Sequence, residues 1–590
     1  MKVRIAFASG TAELNRAMID QLAAAQPHLP LLVVSEFEPH LGEWIPYHVQ
    51  RSFRTNRAAI RAALDGRRIA AAGVAFAEGT ALAKMRLIAF SLGAGRIRFY
   101  GSPAKPGKSA IRWLRRVAHP GEAEIPLRAR LAQLYGLAAS RLRPVSPDRD
   151  VPVGTLAEGV TIVIPSRDGR ELLAAMLPGL SGAAKIIVVD NGSTDGTAAW
   201  LAQDYSSIEM IVSDAPLSFA RAVNAGIAQS RTSHTLLLNN DMLVEPGFIA
   251  ALQAAFEKVP DLFCATAQIF FPPGIRREET GKAVWRRDDP LDFPMRCDEP
   301  LAGEDLTPVL YGSGGCSLYD TEKLQRTGGV AQVYEPAYVE DLDLGYRAWK
   351  RGWPSVFCAA AQVEHRHRAT TARFYTSEQL DLFVETNYLR FLIHAVGSPA
   401  LFRTLWREAI RRLQLRGMLA ALRQIPAIHR RPPEATGHLS EPEILALGNG
   451  DVACFQGREP GDVTTIVIAS PYLPYPLSHG GAVRIFNLMR QSAGPFNLVL
   501  VAFCDQLETP APELLSLCCE LVLVRRHGSH YRRDSPLPDV VAEFESLSFR
   551  AALRQTIARW RPCGVQLEFT WMAQYADACG SVPTALVEHD

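Results

Sequence analysis

Four short apolar runs in the middle of the chain each end in polar side chains of the kinds that bind ligands. The polar endings are Pro165-Ser166, Asp190-Asn191, Ser213-Asp214 and Asn239-Asn240-Asp241. Helical patterns separate the runs, and this alternation predicts a parallel, doubly wound sheet. Ligands of such sheets bind outside the carboxyl ends of the strands. We therefore expect these side chains to share one edge of a sheet and to form a site there.

The residue types at this edge suit chemistry on phosphates. Carboxylate oxygens with an occasional imidazole are ligands for hard divalent cations such as Mg²⁺ or Mn²⁺. A bound cation stabilises the charge that develops on a phosphate leaving group. Taken alone, however, the motif DNGSTDGT also fits an ordinary turn into a helix, with Ser193 or Asp195 as the cap.

Length, charge and cysteine content narrow the classes of protein. A chain of 590 residues is too long for one core and suggests about three or four domains. The net charge of +2 gives no global field that would attract nucleic acid. The ten cysteines include no C-x-x-C pair, which excludes a zinc framework and a secreted disulfide scaffold.

The sequence favours a cytoplasmic location. The start MKVRIAFASG lacks the apolar core of a signal peptide, and no apolar run is long enough to span a bilayer. Arginines crowd the helical pattern from about Ser398 to Arg431. They fit a peripheral contact with anionic lipid at the inner face of a membrane, and they fit a solvated basic face equally well.

Three blocks of strand and helix patterns, separated by proline-bearing stretches, predict an α/β chain. We expect a central, mostly parallel, Rossmann-like sheet domain flanked by two further Rossmann-like α/β domains. The last domain looks incomplete, because the sequence stops directly after a strand pattern. The predicted segments are a domain of uncertain role at 1–142, a linker at 143–157, the central domain at 158–396, a basic helical region at 397–432, a linker at 433–462 and a partial domain at 463–590.

Five separate motifs in the central block resemble those of the family-2 glycosyltransferases of the GT-A fold, in their order and spacing. They are IVIPSRDGRELL, VVDNGSTDGT, SFARAVNAGI, LLLNNDMLVEPGF, and the stretch YGSGGCSLYDTEKLQRTGGV…EPAYVEDLDLGYRAWKRGW…AAAQVEHRHRAT. The match is to the rhamnosyltransferase-like branch. It implies inverting, metal-dependent transfer of a hexosyl group from a nucleotide sugar, with UDP or dTDP favoured. The implied acceptor is a glycan or a lipid-linked sugar of a surface polysaccharide.

The resemblance assigns roles to individual residues. The metal ligands would be Asp241 and His365, holding Mg²⁺ or Mn²⁺. Asn239 stands where the family's D-x-D motif has its first aspartate, so it adds no charge to the metal site. Asp168 stands where asparagine is commoner. The nucleotide-binding residues would be Pro165, Ser166, Asp168, Asp190, Asn224, Asn239 and Asn240.

The same resemblance makes Asp341 the candidate general base, with Glu340 beside it and Asp343 in a supporting place. The glycine-rich segment Gly312–Cys316 would lie beside the acceptor, where small residues let a sugar approach the backbone. Two structural readings compete. Acidic residues are favoured in the first turn of any helix, and His365 fits a surface position as well as a metal site.

The third block resembles the start of a family-4 glycosyltransferase of the GT-B fold. The resemblance rests on SPYLPYPLSHGGAVRIFNLMRQ and VQLEFTWMAQYA…ALVEHD. Gly480 and Gly481 would let the backbone approach a phosphate at a helix N-terminus. The donor-binding half of such enzymes is missing from the sequence, so this block is either part of a longer bifunctional protein or a remnant used for interaction, and its final strand without a continuation favours the first.

Two other functions compete with the transferase. A sugar nucleotidyltransferase would need a glycine-rich, basic loop after the first strand, and IVIPSRDGRELL has a single glycine. A non-catalytic scaffold or carbohydrate-binding protein with a degenerate transferase domain is compatible with Asn239. The carboxylates Asp241, Glu340 and Asp341, together with His365, argue against such a degenerate domain.

Overall fold

The structure is a computed structural model of the chain. The described residues are 2–48, 51–76, 82–92, 97–101, 134, 153–180, 185–271, 280–287, 292–366, 376–412, 422–423, 428, 434–527 and 538–588. Residues 143–152 of the predicted first linker therefore lie outside the described residues. Strands and helices alternate along most of the rest, as the sequence predicted.

The strands, in chain order, are β1 (Lys2–Phe7), β2 (Leu31–Ser35), β3 (Glu43–Pro46), β4 (Arg68–Phe76), β5 (Ile97–Gly101), β6 (Ala157–Ser166), β7 (Lys185–Asn191), β8 (Glu209–Ser213), β9 (Thr232–Leu238), β10 (Met242–Val244), β11 (Cys264–Phe270), β12 (Ala283–Trp285), β13 (Met295–Cys297), β14 (Cys316–Asp320), β15 (Ser355–His365), β16 (Val452–Gln456), β17 (Thr465–Ser470), β18 (Asn497–Cys504), β19 (Glu520–Arg525), β20 (Gly564–Glu568) and β21 (Thr584–Val587).

The helices are α1 (Ala12–Ala25), α2 (Phe53–Leu64), α3 (Ala83–Ser91), α4 (Arg170–Met176), α5 (Thr197–Asp204), α6 (Phe219–Gln229), α7 (Phe248–Lys258), α8 (Thr321–Arg326), α9 (Glu340–Lys350), α10 (Ser377–His394), α11 (Pro399–Arg412), α12 (Glu441–Leu447), α13 (Gly480–Ser492), α14 (Pro512–Leu515), α15 (Asp539–Glu543) and α16 (Leu547–Trp560). Single 3-10 turns or short 3-10 helices cover Leu177–Leu180, Gln332–Tyr334 and Thr570–Cys579.

The chain divides into two compact units. Unit 1 comprises residues 1–124 and 527–545, and unit 2 comprises residues 125–526 and 546–590. Unit 1 holds a parallel five-stranded sheet in the order β3-β2-β1-β4-β5. Strand β2 is buried along its whole length, which explains its uninterrupted apolar sequence. The first of the three predicted Rossmann-like sheets is thus confirmed.

Unit 2 contains the central sheet, whose eight strands run in the order β10-β15-β11-β14-β9-β6-β7-β8. Strands β9, β6, β7 and β8 are mutually parallel, as the apolar runs predicted. Strand β14 is antiparallel to both β9 and β11, and β10 is antiparallel to β15. The sheet is therefore mostly parallel, with a mixed half that brings distant segments of the chain to the same edge.

Close packing of α6 on the central sheet depends on one glycine. A Cβ atom added at Gly226 would lie 2.2 Å from Cγ1 of Val163, a residue of the fully buried part of β6. No side chain fits into that gap, so only glycine lets the helix lie this close to the strand. This contact fixes how α6 runs across the end of the sheet that carries Ser166.

The third sheet also lies in unit 2, in the order β16-β19-β18-β17-β20-β21. It is parallel except for β16, which is antiparallel to β19. Residues 433–462, proposed above as a linker, contain α12 and β16. This stretch therefore supplies a helix and an edge strand to the third sheet.

Backbone hydrogen bonds join β16 to the central domain. The Asp305 amide donates to the Cys454 carbonyl over 3.0 Å, and the Cys454 amide donates to Oγ1 of Thr307 over 2.9 Å. One edge of β16 pairs with β19, and its other edge forms a single antiparallel bridge between Phe455 and Glu304. The segment at 304–307 therefore lies beside β16 at the edge of the third sheet. The central and third sheets are thus connected through main-chain contacts as well as side-chain packing.

A buried ion pair stands at this junction. Nζ of Lys282 lies 2.6 Å from Oε1 of Glu304, and the two side chains are 4% and 0% exposed. Glu304 also accepts hydrogen bonds from the Thr307 hydroxyl and from the Leu301 amide, each over 2.8 Å. Both oxygens of the Glu304 carboxylate therefore have partners, which offset the cost of removing its charge from water.

Helix α11 is the described part of the predicted basic helical region. Its apolar side chains Leu405 and Trp406 are buried, whereas Arg407 is exposed. Arg287 pairs with Glu408 of the same helix. Among the residues that the structure describes, no helix is both long enough and apolar enough to cross a membrane.

Replacing Glu304 with alanine should destabilise unit 2 by about 3–5 kcal/mol, because the Lys282 ammonium would remain buried without its counter-ion. Chemical denaturation, followed by circular dichroism, measures the loss. The matched control is Asp292→Ala, which removes the exposed partner of Arg296 and should cost less than about 1 kcal/mol. Equal losses in the two variants would show that the buried pair does not support the junction.

Candidate active site

Strand register places the residues that were predicted to bind a ligand side by side at one edge of the central sheet. Ser166, the last residue of β6, is paired with Asp190 of β7, and Pro165 is paired with Val189. On the other side of β6, Val163 is paired with Leu237, so that β9 ends next to β6 and leads into Asn239. The carboxyl ends of β9, β6 and β7 therefore meet at one edge of the sheet.

Two short-range contacts hold the loop after β6. Nδ2 of Asn240 donates to the Ser166 hydroxyl over 2.9 Å, and both side chains are buried. A Cβ atom at Gly169 would lie 2.3 Å from that same amide nitrogen. Only glycine at position 169 lets the loop after β6 lie this close to the loop that carries Asn240. Gly169 is the single glycine of the motif IVIPSRDGRELL.

Asp168 connects the first loop to the DNGST segment. The Asp168 backbone has a φ of 47°, and its amide donates to the Ser193 hydroxyl over 2.9 Å. Its carboxylate accepts from the Thr194 amide over 2.7 Å. Asp190, only 2% exposed, accepts from the Ser193 amide over 3.3 Å. Both aspartates therefore shape the loop that follows β7, and their contact with a nucleotide stays a prediction.

Asn224 is held by the backbone of a distant segment. Its Nδ2 donates to the Val330 carbonyl over 2.7 Å, and its Oδ1 accepts from the Val330 amide over 2.9 Å. This two-way contact joins α6 to the chain ahead of α9. The structure thus places Asn224 as a connection between these segments, and the predicted nucleotide contact stays a prediction.

The two predicted metal ligands lie together. Nε2 of His365 is 3.5 Å from Oδ2 of Asp241, and each residue is 8% exposed. The antiparallel pairing of β10 with β15 puts Met242 opposite His365, and the Arg366 amide donates to the Asp241 carbonyl over 2.9 Å. The ring of Phe271 lies 5.5 Å from the imidazole. Strand pairing, rather than proximity in sequence, therefore brings this carboxylate and imidazole together.

The donor set fits a divalent cation that takes its other ligands from a substrate. Among the described residues, no group of three or more His, Cys, Asp or Glu side chains could hold a metal ion by itself. One carboxylate and one imidazole are nevertheless available, since Asp241 directly precedes β10 and His365 ends the neighbouring strand β15. Mg²⁺ sites often use only one or two protein carboxylates and complete their coordination with phosphate oxygens and water.

A glycine loop stands between the metal residues and the candidate base. The Gly314 amide donates to Oδ2 of Asp341 over 3.0 Å, and a Cβ atom at Gly314 would lie 2.4 Å from the Asp341 Oδ1. A Cβ atom at Gly315 would lie 2.6 Å from Nδ2 of Asn239. The two successive glycines therefore touch Asp341 on one side and the Asn239–Asp241 motif on the other.

The backbone ahead of α9 is strained. Tyr338 and Val339 have φ values of 75° and 77°, a region that non-glycine residues rarely adopt and that is least favourable for a β-branched residue. Nδ2 of Asn387 donates to the carbonyls of Ala337 and Tyr338, over 2.7 and 3.0 Å. Such strain costs about 1–3 kcal/mol per residue and persists only where the surroundings enforce it. Helix α10 enforces it through Asn387.

The first turn of α9 carries three carboxyl groups in different environments. Glu340 is 7% exposed, and its Oε2 has no hydrogen-bond partner among the residues that the structure describes. Burial, followed by the neighbouring Asp341 carboxylate, raises the pKa of Glu340 to about 8. This raised pKa favours the protonated form of Glu340 at neutral pH, which the sequence motif alone does not indicate.

Asp343 is fully buried and bonded on every side. It accepts from the Tyr334 hydroxyl over 2.9 Å and from Nε of Arg347 over 2.7 Å, and it lies 2.9 Å from Nδ1 of His394. Burial alone would raise the pKa of Asp343, but Arg347 and His394 more than offset it and hold that pKa well below its usual range. Asp343 is thus an ionised structural centre, in agreement with its expected supporting place.

Sequence reasoning missed four members of this assembly: Tyr334, Arg347, Asn387 and His394. Asn387 and His394 have one signal in the sequence, a polar side chain among the apolar residues of ETNYLRFLIH, whereas Tyr334 and Arg347 have none of this kind. Such a pattern indicates that a polar group is buried, but it does not identify the partner.

The central domain is similar to known glycosyltransferases. The model of the "Glycosyltransferase like family 2" family matches residues 157–380. An N-acetylglucosaminyl-diphospho-decaprenol L-rhamnosyltransferase of Mycobacterium tuberculosis is 28% identical over 229 residues, which are 35% of this chain and 73% of that protein. An uncharacterized glycosyltransferase of Mycobacterium bovis is 30% identical over 200 residues, which are 33% of this chain and 81% of that protein.

Among solved structures, GalNAc-T7 with UDP, GalNAc and Mn²⁺ superposes with a TM-score of 0.33 at 14% sequence identity. The match covers 46% of this chain and 57% of GalNAc-T7. The assignment of the chain to a family therefore depends on the sequence relatives and on the family model. Through its central domain, the chain belongs to the family-2 glycosyltransferases.

Proposed function

We propose that the central domain transfers a hexosyl group from a nucleotide sugar to a hydroxyl of a glycan or lipid-linked acceptor, with inversion at the anomeric carbon. One observation carries the proposal: a two-glycine loop contacts Asp341 through Gly314 and the Asn239–Asp241 motif through Gly315. A transferase needs a cation on the leaving diphosphate and a base on the acceptor, close to one another but on separate sides of the reacting carbon.

Asp241 and His365 would hold Mg²⁺ or Mn²⁺. When bound, the cation supplies positive charge that stabilises the departing nucleoside diphosphate. Pro165, Ser166, Asp168, Asp190, Asn239 and Asn240 lie along the same edge and would contact the nucleotide. Their loops are already tied together by hydrogen bonds such as that from Asn240 to Ser166, so the donor would enter a largely preformed site.

Asp341 is the base that the environment favours. Asp343 has both carboxylate oxygens engaged by neighbouring side chains, and Glu340 holds its proton at neutral pH. Asp341 would remove the proton of the acceptor hydroxyl while that oxygen forms a bond to the anomeric carbon. The bond from this carbon to the diphosphate oxygen breaks in the same step, and its electron pair leaves with the nucleoside diphosphate. A single displacement of this kind inverts the configuration.

The relatives suggest the substrates. The Mycobacterium tuberculosis relative is named as an L-rhamnosyltransferase that acts on N-acetylglucosaminyl-diphospho-decaprenol, and GalNAc-T7 was solved with UDP and Mn²⁺. We propose that this protein likewise uses a UDP- or dTDP-linked donor sugar and a lipid-linked acceptor, in the synthesis of a surface polysaccharide. A lipid-linked acceptor would require a peripheral contact with a membrane.

The first test is replacement of the base. Asp341→Asn should lower kcat/KM by about 100- to 10,000-fold, because the acceptor hydroxyl loses its proton acceptor. Nucleotide affinity should be unchanged, since Asp341 lies on the acceptor side of the glycine loop. Release of nucleoside diphosphate from UDP-, dTDP- and GDP-sugars measures turnover, and titration calorimetry with the free nucleotide measures binding.

The matched control is Asp204→Asn, at the exposed C-terminal end of α5, which should keep full activity. Activity retained by Asp341→Asn would exclude Asp341 as the base. If the unmodified protein binds no nucleotide and releases no diphosphate with any metal, a degenerate scaffold becomes the better explanation.

The second test concerns the cation. Asp241→Ala and His365→Ala should each raise the Mn²⁺ concentration needed for half-maximal turnover by about 100-fold or more. Loss of a residue that only hydrogen-bonds to a metal ligand typically weakens metal binding by about 10- to 100-fold, so a direct ligand should have a larger effect. Electron paramagnetic resonance of free Mn²⁺, in the presence of UDP, measures the same affinity without turnover. An unchanged Mn²⁺ dependence in both variants would place the metal elsewhere.

The third test uses the raised pKa of Glu340. Because this pKa of about 8 lies above the ordinary value of 4.5, Glu340 contributes stability that is complete below about pH 4.5 and is lost as the pH rises through about 8. Glu340→Gln cannot ionise, so its stability relative to the unmodified protein should increase from about pH 5 to about pH 9.

Thermal unfolding at several pH values measures this difference. Glu378→Gln, at an exposed position in the first turn of α10, is the control and should show no such trend. A constant difference between Glu340→Gln and the unmodified protein across this range would mean that Glu340 is ionised at neutral pH.

A further inference from the structure

Unit 1 contains a cleft that the transferase chemistry does not use. The cleft has a volume of about 790 Å³, within the range of about 300–1,000 Å³ that is usual for small-molecule sites. It is lined by residues that follow β1 and β2, including Gly10 and Glu36, and by Leu82, which follows β4. The sheet order reverses between β1 and β4, and ligands of open parallel sheets bind at such a point.

The loop after β1 is not arranged to bind a phosphate. Oδ1 of Asn15 accepts from the Gly10 amide over 2.9 Å, and its Nδ2 donates to the Gly10 carbonyl over 3.0 Å. The backbone amide that a phosphate would need is therefore occupied by the loop's own helix. Glu13 adds a negative charge in the first turn of α1, at the position where an anion would bind.

The charged side chains of the cleft also argue against an anionic ligand. Three carboxyl groups line it, those of Glu13, Glu36 and Glu38, together with Arg16 and His40. His40 already pairs with Asp20 over 2.7 Å. Burial raises the pKa of Glu36, so its carboxyl group is partly removed from water and gains from hydrogen-bond donors on a ligand. The cleft thus offers mainly acceptors, with one arginine as a donor.

An exposed aromatic ring stands at the same cleft. Phe37 lines it and is 68% exposed, although a phenylalanine is normally buried. The loop that carries it is fixed, because the Ser35 hydroxyl donates to the Phe37 carbonyl over 2.7 Å and Nε1 of Trp44 donates to the Ser35 carbonyl over 3.2 Å. The backbone at Phe37 is therefore fixed, and its ring offers an apolar surface beside the carboxyl groups.

We propose that this cleft binds a neutral carbohydrate. The hydroxyl groups of a sugar donate to the glutamates and accept from Arg16, and its apolar C–H face stacks on the electron-rich face of the Phe37 ring. A nucleotide would place its phosphates against Glu13 and the occupied loop, and a polyamine would face Arg16. The uncharged polyhydroxyl ligand is the class that matches all three features of the cleft.

The experiment uses the full chain carrying Asp241→Ala, so that binding is measured without transferase turnover. The probes are neutral trisaccharides and tetrasaccharides of rhamnose, mannose and N-acetylglucosamine, with UDP and spermidine for comparison. Saturation-transfer NMR identifies the probes that bind, and calorimetry gives the dissociation constants. Failure of the proposed transferase activity would leave this measurement unaffected.

We expect a neutral oligosaccharide to bind, and Phe37→Ala and Glu36→Gln each to raise its dissociation constant by about tenfold or more. Leu41→Ala, which removes another exposed apolar side chain of unit 1 that does not line the cleft, should leave the constant unchanged. The proposal is overturned if none of the oligosaccharides binds, or if Phe37→Ala and Glu36→Gln bind them normally. The proposal is also overturned if UDP or spermidine binds to the protein and Phe37→Ala and Glu36→Gln abolish that binding.

Discussion

The first turn of α9, which carries the candidate base, depends on one buried carboxylate. Asp343, fully excluded from solvent, joins Tyr334, Arg347 and His394, and Arg347 in turn donates to the carbonyls of Thr327 and Gly329. A buried charge that lost any of these partners would cost several kcal/mol, so the network holds the first turn of α9 in one place. The network and the hydrogen bonds from Asn387 together hold the strained backbone at Val339.

The three acidic side chains of that turn show how environment separates residues of the same type. Arginine and histidine keep Asp343 ionised and inaccessible, whereas burial beside a second carboxylate keeps Glu340 protonated. Asp341 receives a hydrogen bond from a glycine amide in a loop that also contacts the metal motif.

The remaining parts of the site are set by strand pairing. His365 reaches Asp241 because β10 pairs with β15 in one particular register, and a slip of one residue would turn the imidazole to the opposite face of the sheet. The same central domain is bonded to the third sheet through β16 and the buried pair of Lys282 and Glu304. The edge that carries the candidate site thus belongs to unit 2, which extends beyond the residues that the family motifs span.

The sequence by itself determined the parallel central sheet and the residues at its carboxyl edge. Uninterrupted apolar runs indicate strands buried on both faces, and the polar residue after each run must then lie at a common edge. The spacing of five motifs also identified the family. Only the tertiary structure decided the remaining features: the proton on Glu340, the engagement of Asn224 by Val330, the close approach of Gly314 to Asp341, and the strand within the stretch at 433–462. Each of these depends on contacts between segments far apart in the chain, and on burial that local periodicity does not specify.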